Sequence, residues 1–269
     1  MLYKRDYTQL TPEEQQRWDE VEEMFEKSKK RNIITPAALN IYYRDIPVAA
    51  YHYKSLFPNN LLNTDELLKV DELLPKIEAF KALLETNPSE RVLLNFINDN
   101  EAYFIIASLL KSNFRFGHHE AFAFREFPLG TNFVADYLLV GKNSGGYHFV
   151  FVELENPCGQ ICTKEGDWGQ TIRKGIRQVN DWNSWLESNY THLRPIFEKY
   201  LGSMLPLPRE FSQLDKSRFH FVVIAGRRDD FTDKSYEAQR RLQRDSNILI
   251  LHYDNLIDAA HYVLEAKNY

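Results

Sequence analysis

FVADYLLVGKNSGGYHFVFVELE, residues 133–155, decides the fold: two apolar runs are joined by a turn-forming segment, with acids placed inside or at the end of each run. Phe133 to Val140 and Tyr147 to Leu154 have the length and the β-branched and aromatic content of buried strands. Gly141-Lys142-Asn143-Ser144-Gly145-Gly146 between them reads as a hairpin turn. The same segment lacks the G-x(4)-G-K-[ST] order of a phosphate loop. An ionised carboxylate in a core strand is costly unless it is paired or binds a cation. Asp136 in the first run and Glu153 in the second fall at neighbouring levels of the expected hairpin. Glu153 and Glu155, two residues apart, project to one face. Two carboxylates with the Leu154 carbonyl between them offer hard oxygen ligands suited to Mg²⁺ or Mn²⁺. The plainer reading, acids at strand ends facing solvent, applies better to a single acid than to this pair.

Outward from the hairpin, Phe122 to Phe127 reads as a third strand ahead of it. A long amphipathic helix follows, with Trp168, Ile172, Ile176, Val179, Trp182 and Leu186 on one stripe. Strands are expected at 219–225 and 247–252, and a closing helix at 255–266. Upstream, Asn87-Pro88-Ser89-Glu90 opens a capped helix carrying Val92, Leu93, Phe96 and Ile97, and 102–110 continues the helical layer. This order of elements predicts an α/β fold, a central mixed sheet flanked by helices. Residues 1–86 read as a mainly helical N-terminal region. Thr11-Pro12-Glu13-Glu14 starts a charged helix that runs to about Lys30, and a tyrosine-rich stretch includes Tyr42, Tyr43, Tyr51 and Tyr53. A further helix begins near Asn63-Thr64-Asp65 and is interrupted at Pro75.

Composition narrows the classes. With 43% apolar and 26% charged residues, the chain is an ordinary globular protein rather than a disordered one. A net charge of −5 argues against an overall basic coat but leaves room for a local basic groove. Cys158 and Cys162 supply neither a disulfide framework nor a four-ligand zinc pattern. No run approaches the roughly 18 apolar residues that span a bilayer, and the N-terminus has no secretion-signal core. The expected location is cytoplasmic, with no membrane partner. His118-His119-Glu120 is not expected to bind metal, because neighbours on an extended segment point opposite ways. Trp182 and Trp185 read as core and interface rather than base-stacking surfaces.

The wider text resembles a known family. Val152-Glu153-Leu154-Glu155-Asn156-Pro157, Thr163-Lys164-Glu165-Gly166-Asp167 and Arg177-Gln178-Val179-Asn180-Asp181-Trp182 are similar to the "VELE-P … TK-G … QV-DW" signature of Shedu anti-phage proteins. Val222 to Arg228 and Ile250 to Leu256 resemble that family's "viGRR" strand and "YD-L" ending, so the resemblance covers about residues 87–260. It implies a PD-(D/E)XK nuclease domain over 87–269 with a restriction-endonuclease-like core. Residues 1–86 lie outside the resemblance; from their position they are expected to sense, regulate or mediate assembly, and a homo-oligomer is expected. The implied activity is metal-dependent hydrolysis of DNA phosphodiester bonds in anti-phage defence, with RNA as the other candidate substrate.

Carried over by position, Asp136, Glu153 and the Leu154 carbonyl hold Mg²⁺ (or Mn²⁺), Glu90 adds an acid from the first helix, and Gln178 lies near the site. Glu155 stands where the motif usually has lysine. Lys164 and Lys174 are the candidate replacements, the latter one helical turn before Gln178 and opposite the apolar stripe. Alternatively Glu155 binds a second metal ion, or the domain is a nuclease-fold module that binds nucleic acid or a partner without cutting. Arg227 and Arg228 are candidate phosphate contacts.

Overall fold

The structure is a computed structural model that describes residues 2–30, 45–163, 166–202 and 205–269. Contacts divide the chain into two compact units, one formed by residues 3–61 with 195–209, the other by 62–194 with 210–269.

The first unit is helical. Helix α1 (Pro12–Lys30) begins as its sequence predicts. The Thr11 hydroxyl accepts the Glu14 N–H at 3.3 Å, and the Glu14 carboxylate accepts the Thr11 N–H at 2.8 Å. Trp18 and Val21 of α1 pack against Ile46 and against Ala49 and Ala50 of α2 (Pro47–Lys54). The Trp18 ring stacks on Tyr53 at 4.6 Å. Tyr42 and Tyr43 lie outside the described residues.

The second unit is the expected α/β core. Its five-stranded mixed sheet has the order β1 (Glu120–Leu129), β2 (Phe133–Asn143), β3 (Gly146–Leu154), β4 (Phe219–Ile224), β5 (Ile248–Leu251). The first three strands form an antiparallel meander, and β4 and β5 run parallel to β3. The hairpin turn is tighter than its sequence suggests: Asn143 pairs with Gly146, so Gly141 to Asn143 belong to β2. Helices α3 (Val70–Leu84), α4 (Glu90–Asp99), α5 (Tyr103–Ala107), α6 (Gln170–Asn189), α7 (Asp233–Ser246) and α8 (Tyr253–Ala266) flank the sheet. Pro75 does not interrupt α3. The break falls six residues earlier, at Lys69 (φ −84°, ψ 52°), where a 3₁₀ segment ends and α3 begins.

Helix α6 lies on β3 and β4, and its buried stripe is Ile172, Gly175, Val179, Trp182 and Leu186. Two residues depart from the expected stripe. Trp168 precedes the helix, in an isolated bridge to Cys162 and edge-on to Phe231 at 6.3 Å. Ile176 is only half-buried. Gly175 holds the central position because a Cβ there would stand 2.4 Å from Val223 Cγ1 and 3.2 Å from Glu155 Cγ. The missing side chain lets the helix approach the sheet closely at the level of the acids.

Candidate active site

The β2–β3 pairing stops at Tyr137↔Val152, one step short of Asp136 and Glu153. There a side chain replaces the backbone ladder: the Leu154 N–H donates to Asp136 Oδ2 at 2.8 Å. In an antiparallel strand the N–H and C=O of one residue point to the same edge, so the Leu154 carbonyl is directed to the Asp136 side. Glu155 is fixed through its main chain, its N–H donating to Ile224 O at 2.8 Å and its carbonyl accepting the buried Tyr253 hydroxyl at 2.8 Å. Its side chain is held from α6, where Lys174 Nζ donates to Glu155 Oε2 at 2.8 Å. The same ammonium stands 4.0 Å from Glu90 Oε1 on α4. Lys174 therefore flanks the buried stripe and reaches over it to the acids, instead of facing away from it as its helical position suggests.

Burial dominates the electrostatics. Glu153 is 5% exposed and Glu155 1%, and Glu153 Oε2 and Glu155 Oε1 are buried with no hydrogen-bond partner. Desolvation pushes the Glu153 carboxyl well above the usual carboxylate range, and the neighbouring charges of Asp136 and Glu155 add to the shift. Asp136 is also raised by desolvation, partly offset by the Leu154 N–H. Glu155 is raised by burial against the pull of Lys174. Desolvation alone would lower the Lys174 pKa, but its bond to Glu155 and the nearby acids raise it, so the ammonium is charged at neutral pH.

This donor set fits a divalent cation. Two carboxylates and a carbonyl converge, and a buried acceptor oxygen without a donor is what a cation would satisfy. Mg²⁺ is commonly held by one or two protein carboxylates, with water and substrate oxygens completing its shell. Among the described residues, no group of three or more His, Cys, Asp or Glu side chains is placed to hold a metal ion by itself.

The structure thus brings together Glu90, Asp136, Glu153, Glu155 and Lys174. Gln178 is half-buried one turn beyond Lys174. Lys164 lies outside the described residues. Arg227 and Arg228 have internal partners. The Arg227 guanidinium donates to Asp254 at 2.9 Å and to Glu85 at 2.9 Å. The Arg228 N–H donates to Asp254 at 2.7 Å, and its side chain pairs with Asp258. These bonds tie the turn after β4 to α3 and α8, and either arginine would reach a phosphate only by exchanging them. His118 and His119 do not diverge: their rings are 4.4 Å apart because they sit in a bend before β1 starts.

Three neighbours of the site escaped the sequence reading. Tyr253 anchors the Glu155 carbonyl, and nothing local in its sequence signals that. Gly175 in mid-helix does carry a signal, since glycine there costs about 1 kcal/mol and implies close packing. The third is the Arg91–Glu126 pair. Pairing of β1 with β2 omits the step between Arg125↔Tyr137 and Phe127↔Ala135, where Glu126 faces Asp136 with φ +45°. Arg91 Nη1 of α4 donates to Glu126 Oε1 at 2.9 Å.

A meander-plus-parallel sheet of five strands flanked by helices, with carboxylates gathered where the hairpin pairing ends, defines an α/β protein. The family model described as Shedu protein SduA, C-terminal, matches residues 87–257, more than half the chain. The chain belongs to this SduA C-terminal family, a nuclease-domain family of anti-phage defence. Comparison with curated protein sequences gives no match.

Proposed function

We propose that the chain is a metal-dependent endonuclease that hydrolyses DNA phosphodiester bonds in anti-phage defence, acting as a cytoplasmic homo-oligomer. One observation carries the reading: the buried, partnerless oxygens of Glu153 and Glu155 beside Asp136, in a chain of this family. Asp136, Glu153 and the Leu154 carbonyl would hold Mg²⁺ or Mn²⁺, which supplies a Lewis acid for water activation and for charge developing on the phosphate. Asp136 is oriented for this by the Leu154 N–H. Lys174, anchored on Glu155, presents a fixed positive charge where phosphate oxygens accumulate charge, the task of the usual motif lysine. Glu90 holds Lys174 from the other side. Gln178, on the same helix face as Lys174, is available to orient substrate or water.

The reading that the domain binds without cutting draws on Glu155 standing at the motif-lysine position. The Lys174–Glu155 contact favours the catalytic reading, because a lysine reaches that position from α6. The deciding experiment incubates the full chain with supercoiled DNA, linear DNA and RNA, each with Mg²⁺, Mn²⁺ or EDTA. Cation-dependent DNA products are expected. EDTA-insensitive binding without products, or products from RNA alone, would overturn the assignment.

A further inference from the structure

Lys174 approaches the acids from α6, and a second cation approaches from α4. Arg91, next to Glu90 in the first turn of α4, donates to Glu126 at 2.9 Å. It lies near enough to Asp136 to favour that group's charged form. The arginine and glutamate side chains are 64% and 49% exposed, so solvent screens their pair and it adds little stability. Such a weak pair does not account for its setting. Glu126 is held at φ +45° inside a strand, directly across from Asp136. A non-glycine residue in that region is strained, by more than a solvent-screened ion pair returns, and strain of this kind collects at functional sites. The pair keeps a guanidinium at the rim of the acids with a partner that is easily exchanged, and a guanidinium matches the two oxygens of a phosphate in a way an ammonium does not.

We infer that Arg91 is a nucleic-acid-binding residue of this site, which grips a backbone phosphate beside Asp136, and that Glu126 is its resting counter-ion, released when the phosphate takes its place. The inference rests on the nuclease reading and names the residue that seats the phosphodiester chain.

The test measures binding of a fluorescein-labelled DNA duplex to the full chain as a function of KCl, with EDTA present so that nothing is cut. Arg91→Ala should weaken binding roughly tenfold and reduce the salt slope by about 1, and Arg91→Lys should recover much of the slope. Glu126→Gln should bind as well as the parent or more tightly, because the competing carboxylate is gone. If the pair were only structural, Glu126→Gln and Arg91→Ala would weaken binding alike. That result would overturn the inference, as would an unchanged affinity and slope in Arg91→Ala. Failure of the parent chain to bind duplex at low salt would instead overturn the nuclease reading together with this one.

Discussion

Strand β3 begins beside half-buried histidines and ends in buried carboxylates, and the two ends handle their titratable groups differently. Near its start, His148 Nδ1 lies 3.3 Å from His220 Nε2 on β4. Phe116 stacks on His148 at 4.6 Å, and Phe114 packs against His220 at 4.9 Å. Desolvation lowers both histidine pKa values, that of His220 to about 4. Near its end, Glu153 and Glu155 crowd Asp136, and two of their oxygens have no donor. Neutral imidazole carries one donor and one acceptor, so one ring can donate to the other. Ionised carboxylates only accept, so they cannot. The half-buried histidine end needs neither a proton nor a cation. The acid end is completed by a proton or by a cation.

Changing the carboxylates tests that contrast most severely. Asp136→Asn or Glu153→Gln should abolish DNA cleavage while the chain stays folded, as followed by product formation and thermal unfolding in parallel. Undiminished cleavage in both variants would show that the acid end is not the reactive one. Lys174→Met should lower the cleavage rate by about 10²–10³-fold, the range for losing one donor aimed at developing charge. Exchanging the two positions, Lys174→Glu with Glu155→Lys, restores the usual motif order and keeps the pair. It should recover at least about tenfold over Lys174→Met alone, whereas no recovery would mean that the helix position itself matters.

The acid end should also tune stability. Glu153 titrates near 9 in the folded chain against 4.5 for a free carboxyl, with desolvation the main cause. A raised carboxylate pKa means that the folded state holds the proton more tightly than the unfolded state. In EDTA, stability should therefore be full below about pH 4.5 and fall as pH rises towards 9. Glu153→Gln removes this loss and should raise the melting temperature at pH 8 by roughly 5–10 °C, with little change at pH 4. Millimolar Mg²⁺ or Mn²⁺ should stabilise the parent at pH 8 by mass action and leave Glu153→Gln largely unmoved. A melting curve indifferent to both pH and cation would deny the cost attributed to these buried oxygens.

Legibility in the sequence followed the range of the forces involved. The strands, α6 and the closeness of Asp136 to Glu153 could be read from apolar periodicity and from charges inside apolar runs, which are local signals. Contacts across the fold could not. The Arg227 partner Glu85 is 142 positions away, and the reach of Lys174 to Glu155 depends on how closely α6 packs, which Gly175 controls. The expected cap of α4 shows the same limit. Ser89 occupies the N-cap position but makes no side-chain cap bond. The strain at Glu126 was hidden because two adjacent charges, Arg125-Glu126, resemble an ordinary strand end, and only the pairing on either side shows the distortion.

The smallest expected effect belongs to the histidine end, and its sign is opposite. His148 and His220 are held neutral, so their contribution is present above about pH 6.5 and lost as pH falls towards about 4, where the folded rings must take up protons. Several groups face the pair. Arg218, which donates to the Tyr147 carbonyl at 3.1 Å, lowers the His148 pKa further, while Asp215 raises it. Asn247 raises that of His220. Only one proton can enter the pair without setting two charged rings against each other, so the acid limb should be modest. Replacing His220 with Gln keeps a donor and an acceptor but removes the titration. Between pH 6.5 and 4 the melting temperature of His220→Gln should fall less steeply than that of the parent, by a few degrees, with cleavage at pH 8 unaffected. Equal slopes would place the acid sensitivity elsewhere. A loss of cleavage would show that the two ends of β3 are coupled.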